Sequence, residues 1–157
     1  MKNYRKLGYG EDETKAIVES LNSLLANYHV HYQKLRNFHW NVEGHTFFEL
    51  HEFFEQEYDQ VKVQIDEIAE RIRVFGKKPY STLKKYLEVA EIEESENDLS
   101  AEKMMTETLN DFETILSFLI DAHEKAAELG DVATEDLLTE YIKRTEKVHW
   151  MLSAFSK

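Results

Sequence analysis

Apolar residues recur along four long stretches of this chain at three- and four-residue steps, the period of a helix with one buried face. From about Thr14 to Val42 the stripe reads Ile17, Leu21, Leu24, Tyr28, Tyr32, Leu35 and Val42, with His39 filling the gap before Val42. A second stripe starts near Thr46 and runs through Leu50, Phe54, Tyr58, Val61, Ile65, Ala69 and Ile72. A third covers about Ser100 to Leu129, with Met105, Leu109, Phe112, Leu116, Leu119, His123 and Ala126. The fourth, about Asp131 to Phe155, carries Leu138, Tyr141, Thr145, Val148, Leu152 and Phe155. Gly44, Gly76 and Gly130 follow the first three stretches, and Pro79 lies just past the second, as helix stops do.

Short links join the first helix to the second and the third to the fourth, which predicts two antiparallel hairpins. The link from Lys77 to Leu99 is long. Within it STLKKYLEVA reads as a short helix and EIEESEND as an acidic loop, since a structureless connection of that length is unusual. A single long crossover is the connectivity of ferritin-like four-helix bundles. The expected fold class is therefore all-α: a ferritin-like four-helix bundle with a short extra helix in the crossover between helices two and three. Residues 1–157 form one domain in this reading, with 1–13 as a flexible N-terminal tail.

Composition narrows the picture. A chain of 157 residues is long enough for a real core. It has no cysteine, which removes disulfide frameworks and thiolate metal sites and fits a reducing cytoplasm. The net charge of −12 repels nucleic acid and anionic membranes in general and concentrates cations. No stretch has the long uncharged apolar run of a membrane helix, and MKNYRKLGYG lacks the hydrophobic core of an export signal. A cytoplasmic location is the expectation.

The chemistry concentrates in HWNVEGHTFFELHEFFEQEYDQVKVQIDEIAER, which contains His39, His51, Glu55, Asp66 and Glu70. Imidazole nitrogen with carboxylate oxygen is a ligand set for iron, zinc or manganese. His51 and Glu55 are four apart and share a helix face, as do Asp66 and Glu70. His51 and Asp66 are fifteen apart on one helix, a separation of roughly 22 Å, too far for one metal. His39 lies just before the Gly44 turn and His51 just after it, so the hairpin sets them at similar heights. A site using all five residues needs a second copy of the helix running antiparallel, with a two-fold axis near Tyr58 or Asp59 and two equivalent sites per dimer.

Each residue also has an ordinary reading. A lone helical His is more often a hydrogen-bonded structural group, and Asp66 and Glu70 could be solvated or paired with Arg71 and Arg73. Glu146 and His149 form a rival Glu-x-x-His, but bundle-internal di-metal sites use two such motifs and only one is present; it reads as structural. His29 and His31 face different ways, His45 sits in the turn, and His123 reads as a buried hydrogen-bonded group on the core stripe.

The stretch NFHWNVEGHTFFELHEFF with YDQVKVQIDEIAERI after it resembles the Dps family, the mini-ferritins, and the resemblance runs over nearly the whole chain to the closing EKVHWML. It implies a hollow dodecamer of ferritin-like bundles with ferroxidase sites between two-fold-related subunits. His39 and His51 would come from one subunit and Asp66 and Glu70 from the other. Each site would hold two irons, the second more weakly, with zinc as a substitute. The position of Glu55 is usually Asp in this family, so the longer side chain alters the site's geometry or the second iron's affinity. The resemblance suggests Trp40 as a radical trap, although a core aromatic is the ordinary reading.

The implied reaction is oxidation of Fe(II) with hydrogen peroxide and storage of ferric mineral in the cage, protecting against oxidative damage. The alternatives are a non-catalytic nucleoid-packing protein and a structural dimer with incidental zinc. Asp131, Glu135, Asp136 and Glu140 crowd the start of the fourth helix, where the family has acidic three-fold pores. Asp131 and Asp136 are the pore candidates, against the alternative that acids there simply suit a helix N-terminus. DNA binding is not expected. The N-terminus offers only Lys2, Arg5 and Lys6, followed by Glu11, Asp12 and Glu13, and Ser156 and Lys157 end the chain without a basic extension.

Overall fold

The computed structural model describes residues 9–157. Five helices follow in order: α1 (Lys15–Asn41), α2 (Phe47–Val74), α3 (Leu83–Val89), α4 (Ala101–Leu129) and α5 (Val132–Phe155). The four long helices match the four apolar stripes, and α3 is the short helix expected in the crossover. Among the described residues none is long and apolar enough to cross a membrane.

Side-chain pairs give the register of the bundle. Ser20 reaches Asp121, His31 reaches Asp111 and Lys34 reaches Glu107, so α1 and α4 run antiparallel. Arg71 reaches Asp131, Tyr141 reaches Glu67 and Arg144 reaches Glu57, so α2 and α5 do too. The chain goes up α1, down α2, crosses the length of the bundle, then goes down α4 and up α5. Leu21, Leu24, Leu35, Phe38, Phe54, Ile68, Met104, Leu119 and Leu138 make a core with essentially no exposed surface.

Local chemistry sets the helix ends. Ser100 and Asp131 cap α4 and α5 by accepting from Lys103 N and Thr134 N. Gly130 closes α4 at φ +72°, a left-handed conformation that a side chain disfavours, and the Asp131 amide bonds back to Ala126 O. The first hairpin turns at Gly44, at φ +109°.

Three asparagines of α1 tie down the crossover. Asn22 Oδ1 accepts from Tyr80 N, and the buried Asn27 Oδ1 accepts from both Glu91 N and Ile92 N. Asn37 Nδ2 donates to the carbonyls of Ser95 and Glu96. The loop's buried backbone groups thereby gain the partners that a strand or helix would supply. His29 stacks on Tyr86 of α3 with ring centroids 3.8 Å apart, and burial pushes its pKa down to about 4.

Two expectations change. Ala122 takes the buried position on α4, so His123 is half-buried rather than a core group. The expected tail falls partly on residues 1–8, outside the described residues. Its remainder is seated on the bundle: Tyr9 packs on Phe75 and donates to Gly130 O, and Lys77 pairs with Glu11.

Asn27→Ala would leave two backbone amides of the crossover without their acceptor. The expected loss is about 1–3 kcal/mol of stability, read as a lower midpoint in chemical denaturation.

Candidate metal centre

The end of α1 and the start of α2 bring His39 and His51 face to face across the Gly44 turn. Their rings stack with centroids 3.8 Å apart and planes 16° from parallel. His39 Nδ1 lies 2.7 Å from the carbonyl oxygen of His51, and His51 Nδ1 lies 2.8 Å from that of His39. A carbonyl only accepts, so each Nδ1 carries the proton and donates. The remaining lone pair in each neutral ring is then on Nε2, the form a metal ligand requires. The bond to His39 O follows from the helix end: α1 stops at Asn41, so the carbonyl of His39 lies in the last turn, where intrahelical donors run out.

The pair is enclosed by aromatic rings. Phe47 stacks against His51 at 4.9 Å, and Tyr58 meets His39 edge-on at 5.3 Å. His39 is buried and His51 half-buried. Burial and the neighbouring carboxylates of Glu55 and Asp59 push the Tyr58 phenol pKa up.

The carboxylates lie elsewhere. Glu55, Asp66 and Glu70 are all exposed on α2, and none has a hydrogen bond or ion pair among the described residues. α2 is one unbroken helix of 28 residues, so Asp66 stays roughly 22 Å along the axis from His51. Among the described residues of a single chain no group of three or more His, Asp or Glu side chains gathers closely enough to hold a metal. The protomer thus brings His39 and His51 together, with Glu55 one turn away, and leaves Asp66 and Glu70 at the far end of the same helix.

The other candidates separate on burial. Asp131 is only 2% exposed; it caps α5, bonds to Thr134 and pairs with Arg71 at 2.7 Å. That corrects the pore candidate: its carboxylate is spent inside the protomer, and capping describes it. Asp136 is exposed, and Glu140 pairs with Lys143. Glu146 is exposed, and His149 bonds to Glu113 at 3.2 Å, so the Glu-x-x-His serves helix packing. Trp40 is 57% exposed, with the Arg36 guanidinium 4.9 Å from its ring centre.

Two features had escaped the sequence reading. Tyr58, counted there as a core aromatic, is the ring against His39. Arg71 ties the turn after Glu70 to the start of α5 through Thr134 and Asp131. An acid at a helix start with a basic residue sixty positions earlier carries no periodic signal, so only the folded register reveals that pair.

Known proteins resemble this chain over nearly its whole length. A family model of the ferritin-like domain matches residues 18–157. DNA protection during starvation protein 2 of Bacillus anthracis is 43% identical over 141 residues, covering 90% of this chain and 97% of that one. The structure is similar to a Dps protein of Vibrio cholerae O1, described as a member of a broad superfamily of ferritin-like diiron-carboxylate proteins. Its TM-score is 0.95 at 36% identity, covering 100% and 98% of the two chains. A Dps protein of Bacillus brevis gives a TM-score of 0.90 at 40% identity, covering 93% of this chain and 98% of that one.

Replacing Asp131 with Ala removes a cap and strands the Arg71 guanidinium. The expected cost is roughly 2 kcal/mol or more, seen as a lower melting temperature. A purely pore-lining residue would leave melting unchanged.

Proposed function

The chain belongs to the Dps family of ferritin-like proteins, and from that premise we propose that it is an iron-sequestering ferroxidase. It oxidises Fe(II) with hydrogen peroxide at sites shared by two subunits and stores the ferric product inside a dodecameric cage. The observation that carries this reading is the reciprocal bonding of His39 and His51. Two imidazoles that each donate from Nδ1 to the other's backbone carbonyl leave both Nε2 atoms available, an arrangement that simple packing does not require. The matching carboxylates, Asp66 and Glu70, are exposed and unpaired on the same helix, at the distance where an antiparallel second copy would return them to the histidines.

In this site iron is the substrate. His39 and His51 each offer an Nε2 lone pair to the iron pair, Asp66 and Glu70 of a second copy supply carboxylate oxygens, and Glu55 reaches the second, weaker iron. Carboxylates are hard anionic donors and favour the ferric product. The same nitrogen and oxygen donors accept zinc as a competing ion. Asp136, exposed near the start of α5, belongs to the negative surface that draws Fe(II) toward the cage interior.

His39→Ala, His51→Ala, Asp66→Ala and Glu70→Ala are each expected to slow peroxide-driven iron oxidation by roughly tenfold or more while native mass stays that of a dodecamer. Glu55→Ala is expected to be milder. Mixed assemblies of His51→Ala and Asp66→Ala chains regain activity, because intact halves meet across the two-fold axis. Absence of recovery in the mixture rejects the shared site, and a mass near that of a dimer rejects the cage.

The second reading, a nucleoid-packing DNA binder, is suggested by the name of the Bacillus anthracis relative. Charge opposes it here. DNA affinity comes mainly from Lys and Arg neutralising phosphates, whereas twelve copies at −12 each would carry on the order of −140 formal charges. The basic residues Lys2, Arg5 and Lys6 fall outside the described residues. A gel-shift titration at physiological salt without divalent ions is expected to show no complex at micromolar protein. A clear shift abolished by deleting residues 1–7 reverses that conclusion.

A further inference from the structure

Arg36 carries a charge that the protomer leaves unanswered. The described residues include four arginines. Arg71 and Arg144 bind carboxylates, and Arg73 donates to the carbonyl of Lys77. Arg36 meets no carboxylate and no backbone carbonyl among the described residues; its hydrogen bond, at 3.5 Å, goes to the Gln33 side chain of its own helix. Its guanidinium lies over two rings, 5.3 Å from the centre of Tyr32 and 4.9 Å from that of Trp40. Rings cover the faces of a guanidinium and leave its N–H edge, the edge that takes a carboxylate. The residue is half-buried and opens onto a cleft of about 570 Å³ between α1 and α3. In a chain of net charge −12, such a group calls for an acid from outside the protomer.

The register of the helices narrows the choice of acid. His39 stacks on His51 and Tyr32 meets Tyr58 edge-on, so Arg36 is level with Phe54 of α2. The two-fold axis of the shared site, near Tyr58 and Asp59, brings residues 62 and 63 of a second copy to that height. Asp59 and Asp66 of that copy share a helix face, and each is roughly 5 Å along the helix from Arg36. Lys62 falls between them and comes level with Glu55 of the first copy, so it has an acid of its own. Asp66 serves the iron site in the reading above. Asp59 is exposed, and no hydrogen bond or ion pair holds it among the described residues. Near the axis it also meets its own symmetry mate, and two carboxylates facing one another repel. Arg36 and Asp59 both act electrostatically on the Tyr58 phenol, which places them around one point of the surface.

We propose that Arg36 pairs with Asp59 of a second copy, once on each side of the two-fold axis, and that these two ion pairs tie the halves of the shared site together. The inference rests on the shared-site reading above and adds a contact that joins its halves. Each guanidinium offsets the repulsion between the two Asp59 carboxylates, so four charges near the axis cancel. Trp40, Leu83 and Leu87 line the same cleft as exposed apolar side chains. Covered by a second copy, they exclude water around the pair and strengthen it. The pair lies one turn before His39 on the same helix face. It needs no metal, so the two halves meet before iron arrives.

The test mixes two variants of the full chain in iron-free buffer and follows assembly by sedimentation across a dilution series. Arg36→Glu sets two acids against each other, and Asp59→Lys sets two bases. Each alone is expected to raise the concentration at which the assembly comes apart by roughly tenfold or more, with the helical circular dichroism unchanged. Should a reversal unfold the chain, Arg36→Gln and Asp59→Asn are expected to weaken assembly in the same direction. Mixed one to one, the two reversed chains offer an acid–base pair on both sides of the axis, and assembly returns to within about threefold of wild type. A pair formed inside one chain gives no recovery on mixing, and that outcome overturns the proposal. Single variants that assemble as the wild type does overturn it too, as does recovery with Asp66→Lys chains in place of Asp59→Lys chains. A wild type that sediments as a monomer is a separate result: it sinks the shared site itself, and the pair falls with it.

Discussion

The rigid rise of one helix governs this molecule. α2 is continuous over 28 residues, roughly 42 Å, with His51 near its start and Asp66 and Glu70 near its end. No rotamer or loop adjustment closes a gap of four helical turns. The donors on α2 are therefore either unrelated or complementary between two copies, and the exposure of all three carboxylates leaves them free for the second arrangement. A two-fold axis that passes near the middle of such a helix returns its end to its start in the partner. The proposed function takes its geometry from that symmetry.

The histidine end is held far more tightly than the carboxylate end. His39 and His51 orient one another through backbone carbonyls, and those carbonyls are fixed by two helices meeting at a short turn. The ring tautomer thus depends on two backbone carbonyls of the hairpin. The carboxylate end is fixed one residue away, where Arg71 locks α2 to the start of α5 through Asp131 and Thr134. Both ends of α2 are clamped, while the acids themselves remain free to turn toward an incoming ion.

The four long helices, their hairpin pairing and the short crossover helix were legible because apolar periodicity and glycine stops are local signals, and the structure keeps the expected boundaries to within a residue or two. The pairing of His39 with His51 was legible as proximity, since a short hairpin dictates it. Its hydrogen bonding was not, because tautomers depend on where two carbonyls end up. Asn22, Asn27 and Asn37 looked like ordinary polar positions of α1, yet they hold the crossover in place. Their partners lie about sixty residues away in a segment without periodicity. Asp131 misled for the opposite reason: an acid at a helix start looks solvated in sequence, and only its ion pair with Arg71 buries it.

The interior of the bundle gives a reason to place the proposed iron chemistry at its boundary. Facing helices of a four-helix bundle are a natural place for a carboxylate metal site, and this core does contain carboxylates. Each is already answered. Arg144 binds both oxygens of the buried Glu57, at 3.2 and 2.8 Å. Glu67 accepts from the Tyr141 hydroxyl. Asp111 takes His31 on one oxygen, at 3.2 Å, and lies 2.9 Å from Lys34. A buried carboxylate needs a positive charge or hydrogen-bond donors, since an unpaired one is too costly to keep ionised. A metal could supply that charge, but here arginine and lysine supply it, and tyrosine and histidine supply hydrogen bonds, within the chain. A cation entering the core would first have to displace a guanidinium, an ammonium or a hydroxyl already bonded there. The histidine pair and the surface acids face no such competitor, so the protein's spare donor capacity lies on the face where a second copy can share it.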